Sequence, residues 1–306
     1  MKRILFISLK VIVGITFLFS GYLKLFPIEL FELNFIDIGI ANWITSPFIA
    51  RLLIGVEFFL GIMLLSGIAL RNFTLPATFG LIAIFSIYLV VQLVTIGNKG
   101  DCGCFGTYLQ MTPLQSLIKN VLLGSLALLL YLMSRRNRIH FQNTIVIFIA
   151  AIILPLPFIL NPVDLLAGKI REPQAINFHL PADLFSSNSA KRDTIDLMNG
   201  KHIIAFMSLT CEHCKVAAFK MHVMEKRHPE IPFYFILNGK EHDLLLFHDA
   251  TKADHIPYMF LYGKSFFALT GGNLPVIYWV ENGIVVRKSL YISLEEAEIL
   301  KWLDAD

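Results

Sequence analysis

Charge is scarce in this sequence. Asp, Glu, Lys and Arg together make up 16% of the 306 residues, while 56% are hydrophobic; a soluble domain averages about 25% charged residues. A chain dissolved in water along its whole length is therefore excluded. The scarcity is uneven. Histidine is missing from the first 139 positions, all nine lying at or beyond His140, and residues 1 to 160 run in long apolar stretches, whereas residues 165 to 306 have an ordinary soluble composition. That asymmetry implies one part in lipid and one in water. There is no internal repeat or low-complexity tract, and the net charge of +3 is small and unclustered. A nucleic-acid footprint is thereby excluded. Cysteine is also rare: four residues in two tight pairs, Cys102/Cys104 and Cys211/Cys214. Structural disulfides stabilise most when they close long loops, so pairs this close suit redox chemistry or metal binding instead.

A membrane-spanning helix needs about 20 mostly apolar residues. Five segments qualify, at about 4–26, 47–70, 73–97, 114–133 and 142–160. The first follows Met1-Lys2-Arg3 but is too long for a signal peptide and has no small-x-small cleavage site, so it reads as a retained anchor. Within it, Lys10 is expected to snorkel towards the cytoplasm. Lys2, Arg3, Arg71, Arg135, Arg136 and Arg138 fall on one side, which the positive-inside rule makes cytoplasmic. Lys24, Arg51, Lys99 and Lys119 fall on the other, mixed with Glu29, Glu32, Asp37 and Asp101. Residues 27–46 are too polar to span and are expected to form an amphipathic segment on the outer face. Pro155 and Pro157 lie near the end of the fifth segment, and Asn161-Pro162 marks its exit. The organisation expected is residues 1–134 as a four-helix membrane domain, 135–163 as a cytoplasmic loop and fifth helix, and 164–306 as a periplasmic domain. With five crossings, both cysteine pairs share a compartment. The orientation makes it the oxidising one, where disulfides persist, in a multi-pass protein of a bacterial inner membrane.

The soluble part begins with a buried-strand run, Ile203 to Ser208, then Leu209-Thr210-Cys211-Glu212-His213-Cys214-Lys215 and a helical pattern to about Arg227. A strand (Pro232 to Leu237), a mostly helical stretch (Glu241 to Ala253) and another apolar run (Pro257 to Phe260) follow. Leu274-Pro275 precedes a strand to Val280, Asn282-Gly283 is a hairpin turn, and Ser293 is read as the cap of a final helix to Trp302. At a helix start, unpaired N–H groups and the macrodipole stabilise a thiolate. His213 would add to this and Glu212 would oppose it. Two other readings of the CxxC are an inert pair on a binding module and a metal site. Zinc would need further ligands such as His213 or His222; copper would draw on His242, His248 or His255, which have no ligand spacing.

This order of elements resembles the thioredoxin fold over about 130 residues, carried by the CxxC at a helix start and the proline just before the hairpin strand. The resemblance implies that Pro275 is the cis-proline beside the thiols, that Cys211 is the attacking nucleophile, and that Cys214 resolves the mixed disulfide. In the membrane part, Ser20-Gly21-Tyr22-Leu23-Lys24 resembles the SGxxK stretch of DoxX-like and MauE-like proteins, as does Glu57 in the second helix. Cys102-Gly103-Cys104-Phe105-Gly106 fits the MauE family best. That resemblance implies a four-helix domain with a role in maturing disulfide-rich clients. Glu57, a carboxylate in an apolar helix, needs a partner or a function; it is expected to pair with Lys24 or to act near the redox loop. A Cys-Gly-Cys disulfide would be strained and would accept electrons readily.

The fold class expected is thus a MauE/DoxX-like α-helical membrane bundle with a fifth transmembrane helix, followed by a thioredoxin-like α/β domain. The function expected is thiol–disulfide exchange, with Cys211/Cys214 acting on extracytoplasmic cysteine-containing clients and on Cys102/Cys104. The partners are membrane lipid and those clients, not nucleic acid. The layout also resembles bacterial vitamin K epoxide reductase homologues, which makes a quinone the candidate electron partner, although this bundle has one cysteine pair where those have two. The competing classes are a non-enzymatic assembly factor and a copper or zinc chaperone.

Overall fold

The computed structural model describes residues 2–95, 97–98, 102, 111–134, 142–163, 174–181 and 196–305. Cys104, the arginine cluster at 135–138 and the glycines of the Cys-Gly-Cys loop lie outside them. The chain forms two compact units, Met1–Val163 and Asp164–Asp306.

In the first unit, α1 (Lys2–Leu25), α2 (Ile28–Asp37), α3 (Ser46–Ser66), α4 (Leu75–Thr95), α5 (Pro113–Met133), α6 (Gln142–Ile153) and α7 (Leu156–Leu160) follow one another. Among the described residues, five spans are long and apolar enough to cross a membrane: α1, α3, Leu70–Thr95, α5 and Asn143–Leu160. Their outward faces carry Ile4, Ile12, Ile15, Ile87, Val94, Val121, Leu122 and Ile147, all exposed. Lipid, not water, is the solvent that tolerates such a surface. The chain is a multi-pass membrane protein.

The central helix is α3: 56% of its most apolar window is buried inside the protein, against 6% for the last span. It meets α1 at a pair of glycines. A Cβ on Gly61 would sit 2.7 Å from Leu18 side-chain carbons and 3.0 Å from the Gly14 carbonyl oxygen. Small residues of this kind let membrane helices approach backbone to backbone. Gly55 does the same on another face, where a Cβ would meet the Leu154 carbonyl oxygen at 2.8 Å.

Four details differ from the sequence reading. The second span stops at Ser66, not near 70, because Gly67 adopts a left-handed φ of 73° and its N–H caps the Met63 carbonyl. A π-helical turn, Leu70–Thr74, then leads into α4, so the third span starts earlier than expected. The fifth span is broken into α6 and α7 at Pro155, where proline has no N–H to continue the helical ladder. The fourth difference is α2. Eight of its ten residues are buried, including Leu30, Phe31, Phe35 and Asp37. Rather than floating on the surface, α2 packs its aromatic side chains on α3 and α4, in a cluster that includes Ala50, Ile54, Tyr88 and Cys102. Its polar residues are absorbed individually, as Glu32 is by Arg51.

Lys10 reaches the C-terminal end of α3, where its Nζ lies 2.9 Å from the position a Cβ on Gly67 would take. A cation there faces the negative end of the helix dipole.

The second unit is a six-stranded mixed sheet with helices. Its elements are β1 (Gln174–His179), β2 (Lys201–Ser208), α8 (Glu212–Arg227), β3 (Phe233–Asn238), α9 (Asp243–Thr251), β4 (Tyr258–Phe260), α10 (Gly263–Thr270), β5 (Val276–Glu281), β6 (Ile284–Ser289) and α11 (Glu296–Leu303). The strand order is β1-β6-β5-β2-β3-β4. β2 and β3 are parallel, β5 runs antiparallel to β2, and β6 runs antiparallel to β5 and so in the direction of β2. The four strands β6-β5-β2-β3, with α8 crossing from β2 to β3, give the thioredoxin-like fold. β2, β3 and β5 are buried along nearly their whole length, as a sheet covered on both faces requires. Asn282 and Gly283 have φ of 51° and 76°, the pair of positive values that a tight hairpin turn demands.

Three further points depart from expectation. β1 and α10 had no clear signal, being a short polar strand on the edge and a short helix after Tyr262. Ser293 does not cap the last helix; its hydroxyl bonds the Leu290 carbonyl, and Glu295 precedes α11 without a side-chain cap.

The candidate thiol site

β2 delivers the chain from the core to the CxxC. Ile203 to Met207 are fully buried, so the strand is fixed, and after Ser208 the chain turns through Leu209 and Thr210. Cys211 is the N-cap of α8, with extended φ and ψ of −84° and 120°. Its Sγ accepts from the Cys214 N–H at 3.3 Å, taking the place of the usual Ser or Asp oxygen. Cys214, one turn inside, is fully buried, and its own sulfur accepts from the Ser208 N–H at 3.5 Å. Both sulfurs are thiols, and Cys211 is half-buried.

This geometry separates the two acidities. Cys211 is drawn down to about 6, chiefly by the hydrogen bond from the Cys214 thiol, with help from the Cys214 N–H and the nearby His213 and against partial burial. Cys214 is pushed up beyond the ordinary thiol range, by that same hydrogen bond and by burial. One sulfur is thus a ready nucleophile at neutral pH and the other a protonated reserve.

The flanking residues fall into place around them. Glu212, whose charge opposes a thiolate, is paired with Lys215 at 2.8 Å. His213 lies on the exposed side of the helix start, with Nδ1 3.1 Å from the Tyr291 hydroxyl. The Leu274–Pro275 peptide is cis. Val276 is in register with Phe206 across β5 and β2, so Pro275 sits at the end of the sheet from which β2 leads to Cys211.

In the membrane unit, Cys102 is buried at 1% exposure. Its Sγ is 2.9 Å from Ser116 Oγ in the first turn of α5, its N–H donates to the Met111 carbonyl at 3.0 Å, and its carbonyl accepts from the Tyr88 hydroxyl at 3.5 Å. α5 begins here because Thr112 and Gln115 form a capping box ahead of Pro113. Gln92, a turn beyond Tyr88 on α4, is fully buried with neither amide atom hydrogen-bonded among the described residues. Sequence reasoning singled out none of these neighbours; an uncharged residue in an apolar helix leaves no pattern.

Glu57 pairs with Lys24. Lys24 Nζ donates to Glu57 Oε1 at 2.7 Å and to Ser20 Oγ at 2.6 Å, and Ser20 donates to the same carboxylate oxygen at 3.0 Å. The ammonium also lies 4.9 Å from the centre of the Phe85 ring, a cation–π contact. Glu57 Oε2 has no hydrogen-bond partner among the described residues. It borders a cavity lined by Lys24, Asn120, Phe85 and Leu123, with about 20 Å³ open to the centre of a water. That is room for about one water. Among the described residues no three His, Cys, Asp or Glu side chains are grouped to hold a metal. His255 instead pairs with Glu225 at 2.5 Å, its ring 5.0 Å from that of His222.

A bundle of membrane spans followed by a thioredoxin-like domain, with a CxxC capping its first helix, defines a class: membrane proteins that carry a thioredoxin-like domain. Residues 1–133 match the family of methylamine utilisation protein MauE, a likeness that covers the first four spans of the membrane unit. Protein TlpB of Flavobacterium psychrophilum is 26% identical over 328 aligned positions, which cover 90% of this chain and 88% of that protein. The likeness to it therefore extends through both units. No solved structure matches the chain.

Proposed function

We propose that this protein is a membrane-bound thiol–disulfide oxidoreductase whose Cys211/Cys214 pair exchanges disulfides with extracytoplasmic clients. One observation carries the reading: Cys211 caps α8 with its sulfur hydrogen-bonded by the N–H and the thiol of a buried Cys214. In the reducing direction the Cys211 thiolate attacks a client disulfide. A mixed disulfide forms, the client S–S bond breaks, and one client sulfur leaves as a thiolate and takes up a proton. Cys214 then loses its proton and attacks Cys211 Sγ, releasing the second client thiol and leaving Cys211–Cys214 oxidised. Two electrons have passed to the client; the same steps reversed oxidise one.

Exchange with Cys102/Cys104 would return the pair to its starting state. Supporting this, the described cysteine of that loop is held by hydrogen bonds at the bundle end where α5 begins, and five crossings by the candidate spans would put that end and the domain after the last span on the same side of the membrane. The excess of basic residues on the opposite side favours a cytoplasmic N-terminus and a periplasmic domain. Glu57 belongs to this scheme as an interior anchor of the bundle, through its pair with Lys24.

The test is trapping in cells. Cys214→Ser should accumulate Cys211-linked adducts on non-reducing gels, because the resolving sulfur is gone, and Cys211→Ser should accumulate none. Adducts absent from both variants, or equal in both, would overturn the reading in favour of a thioredoxin-like module that only holds a partner. The redox state of each pair, read by alkylating thiols in intact cells, then gives the direction of flow.

A further inference from the structure

Tyr291, in the segment between β6 and α11, meets His213 of the CxxC from outside the helix. Its hydroxyl is 3.1 Å from His213 Nδ1, and the two rings lie 5.9 Å apart with a tilt of 34°. The segment is pinned. Lys220, further along α8, donates from Nζ to the carbonyl of Tyr291 at 2.9 Å and to that of Ile292 at 3.2 Å. Ser293 closes a turn around it, its N–H and hydroxyl both reaching the Leu290 carbonyl at 3.1 Å. Thus α8 grips the segment with Lys220, and the segment returns a hydroxyl to His213 at the start of the same helix.

A phenol hydroxyl both donates and accepts. It can donate to Nδ1 of a neutral imidazole and accept from the Nδ1–H of an imidazolium, so one ring orientation serves both protonation states. An exposed histidine without such a partner would spread over several rotamers, and its charge would spend part of its time turned to solvent. A charge held beside a half-buried sulfur acts on it more strongly than one averaged over solvent.

We propose that Tyr291 is a positioning residue for the thiol chemistry: held by Lys220, it fixes His213 in the orientation from which its charge supports the Cys211 thiolate. The proposal rests on the thiol-exchange reading for its purpose, but not for its test. The charged and titratable groups facing this point are Glu212 and Lys215, paired with each other on α8, the two thiols, Tyr291, and Lys220 with Glu295 near it. Burial depresses Lys220 to about 8, so it stays a cation throughout a titration below pH 7.

The experiment uses the reduced full chain in detergent. The rate of Cys211 alkylation by iodoacetamide is followed from pH 4.5 to 7, with the site resolved by mass spectrometry. Tyr291→Phe should slow alkylation at pH 5.5 by about three- to fivefold, the worth of one hydrogen bond, and move the midpoint up. In a His213→Gln background the same substitution should change the rate by less than about 1.5-fold, because the effect passes through the imidazole. Lys220→Met, which loosens the segment without touching the hydroxyl, should show a smaller shift with the same dependence on His213. An equal slowing with and without His213 would mean that Tyr291 acts by packing and would overturn the proposal, as would no slowing in either background. Should the chain trap no client yet keep the His213-dependent shift, the exchange reading falls and the role of Tyr291 stands.

Discussion

At the scale of single residues, the site separates two chemically identical side chains by where each sits on one helix turn. Cys211 has the N-cap position and the donors; Cys214 has the burial. Alkylation of the reduced protein should therefore reach half its maximal rate near pH 6 at Cys211, with Cys214 unreactive up to pH 9, as site-resolved mass spectrometry would show. The same shift makes stability depend on pH. The folded value lies below the ordinary thiol value of 9.0, so the reduced protein binds fewer protons folded than unfolded between about pH 6 and 9. Relative to the disulfide form, in which this pair has no thiol to titrate, the reduced form should gain melting temperature as pH rises through that window and lose the gain as pH falls to 6. A flat difference between the two forms would contradict it. Lys215→Ala, which frees the Glu212 charge, should raise the Cys211 midpoint by less than about one unit, since exposed pairs are worth at most about 1 kcal/mol. The CxxC was legible in the sequence because its spacing is local. The Glu212–Lys215 pair was within reach of the same logic, being i,i+3 on a helix. Tyr291 was not: 78 residues separate it from His213, and only the return of the chain after β6 brings them together.

At the scale of elements, the membrane bundle is fastened by two kinds of contact that α3 makes with α1. One is polar. Lys24 and Glu57 are each about 2% exposed and bond each other, so removing one partner strands a charge in an apolar interior. Glu57→Leu or Lys24→Met alone should destabilise the bundle by about 3–5 kcal/mol. The double variant should recover much of that loss, since two apolar side chains can fill the space. Reversible unfolding in mixed detergent micelles measures both; losses that simply add would show that the pair is not a unit. The other contact is the glycine crossing. Gly61→Val would drive a branched side chain into the Gly14 carbonyl and should lower stability more than Gly124→Val, where nothing lies within 4 Å of an added Cβ. Hydropathy located the spans well, since a 20-residue apolar run needs no tertiary information. It misjudged α2 for a physical reason. Glu29, Glu32 and Asp37 make the segment look like a surface helix, yet Arg51 meets Glu32, and neutralisation by a residue 19 positions away is invisible to a composition window.

For the whole molecule, the consequence that matters is parity. The last span is the weakest link in that count, being broken at Pro155 and little buried. Its exit is nevertheless fixed to the rest of the bundle. Arg51, near the start of α3, donates from Nε to the Asn161 carbonyl at 2.6 Å, and Asn161 Nδ2 donates to the Leu25 carbonyl, at the end of α1, at 3.2 Å. At the opposite end, Arg71 bonds the Ser134 carbonyl and lies over the Tyr131 ring. The end of α1, the start of α3 and the exit of α7 thus share one end, which is what an odd number of crossings requires. Three exposed positions test it in a chain freed of native cysteines: Ile40→Cys after α2, Asn72→Cys in the first turn of the third span, and Asp304→Cys near the C-terminus. A membrane-impermeant maleimide applied to spheroplasts should label the first and third, and should label Asn72→Cys only after permeabilisation. If Asp304→Cys instead behaved like Asn72→Cys, the last span would not cross, and the two cysteine pairs would lie on opposite sides with no means of direct exchange. If all three reversed together, the count would survive but the thiols would face the reducing compartment, where a thiolate-rich Cys211 is suited to donating electrons to disulfides rather than to making them.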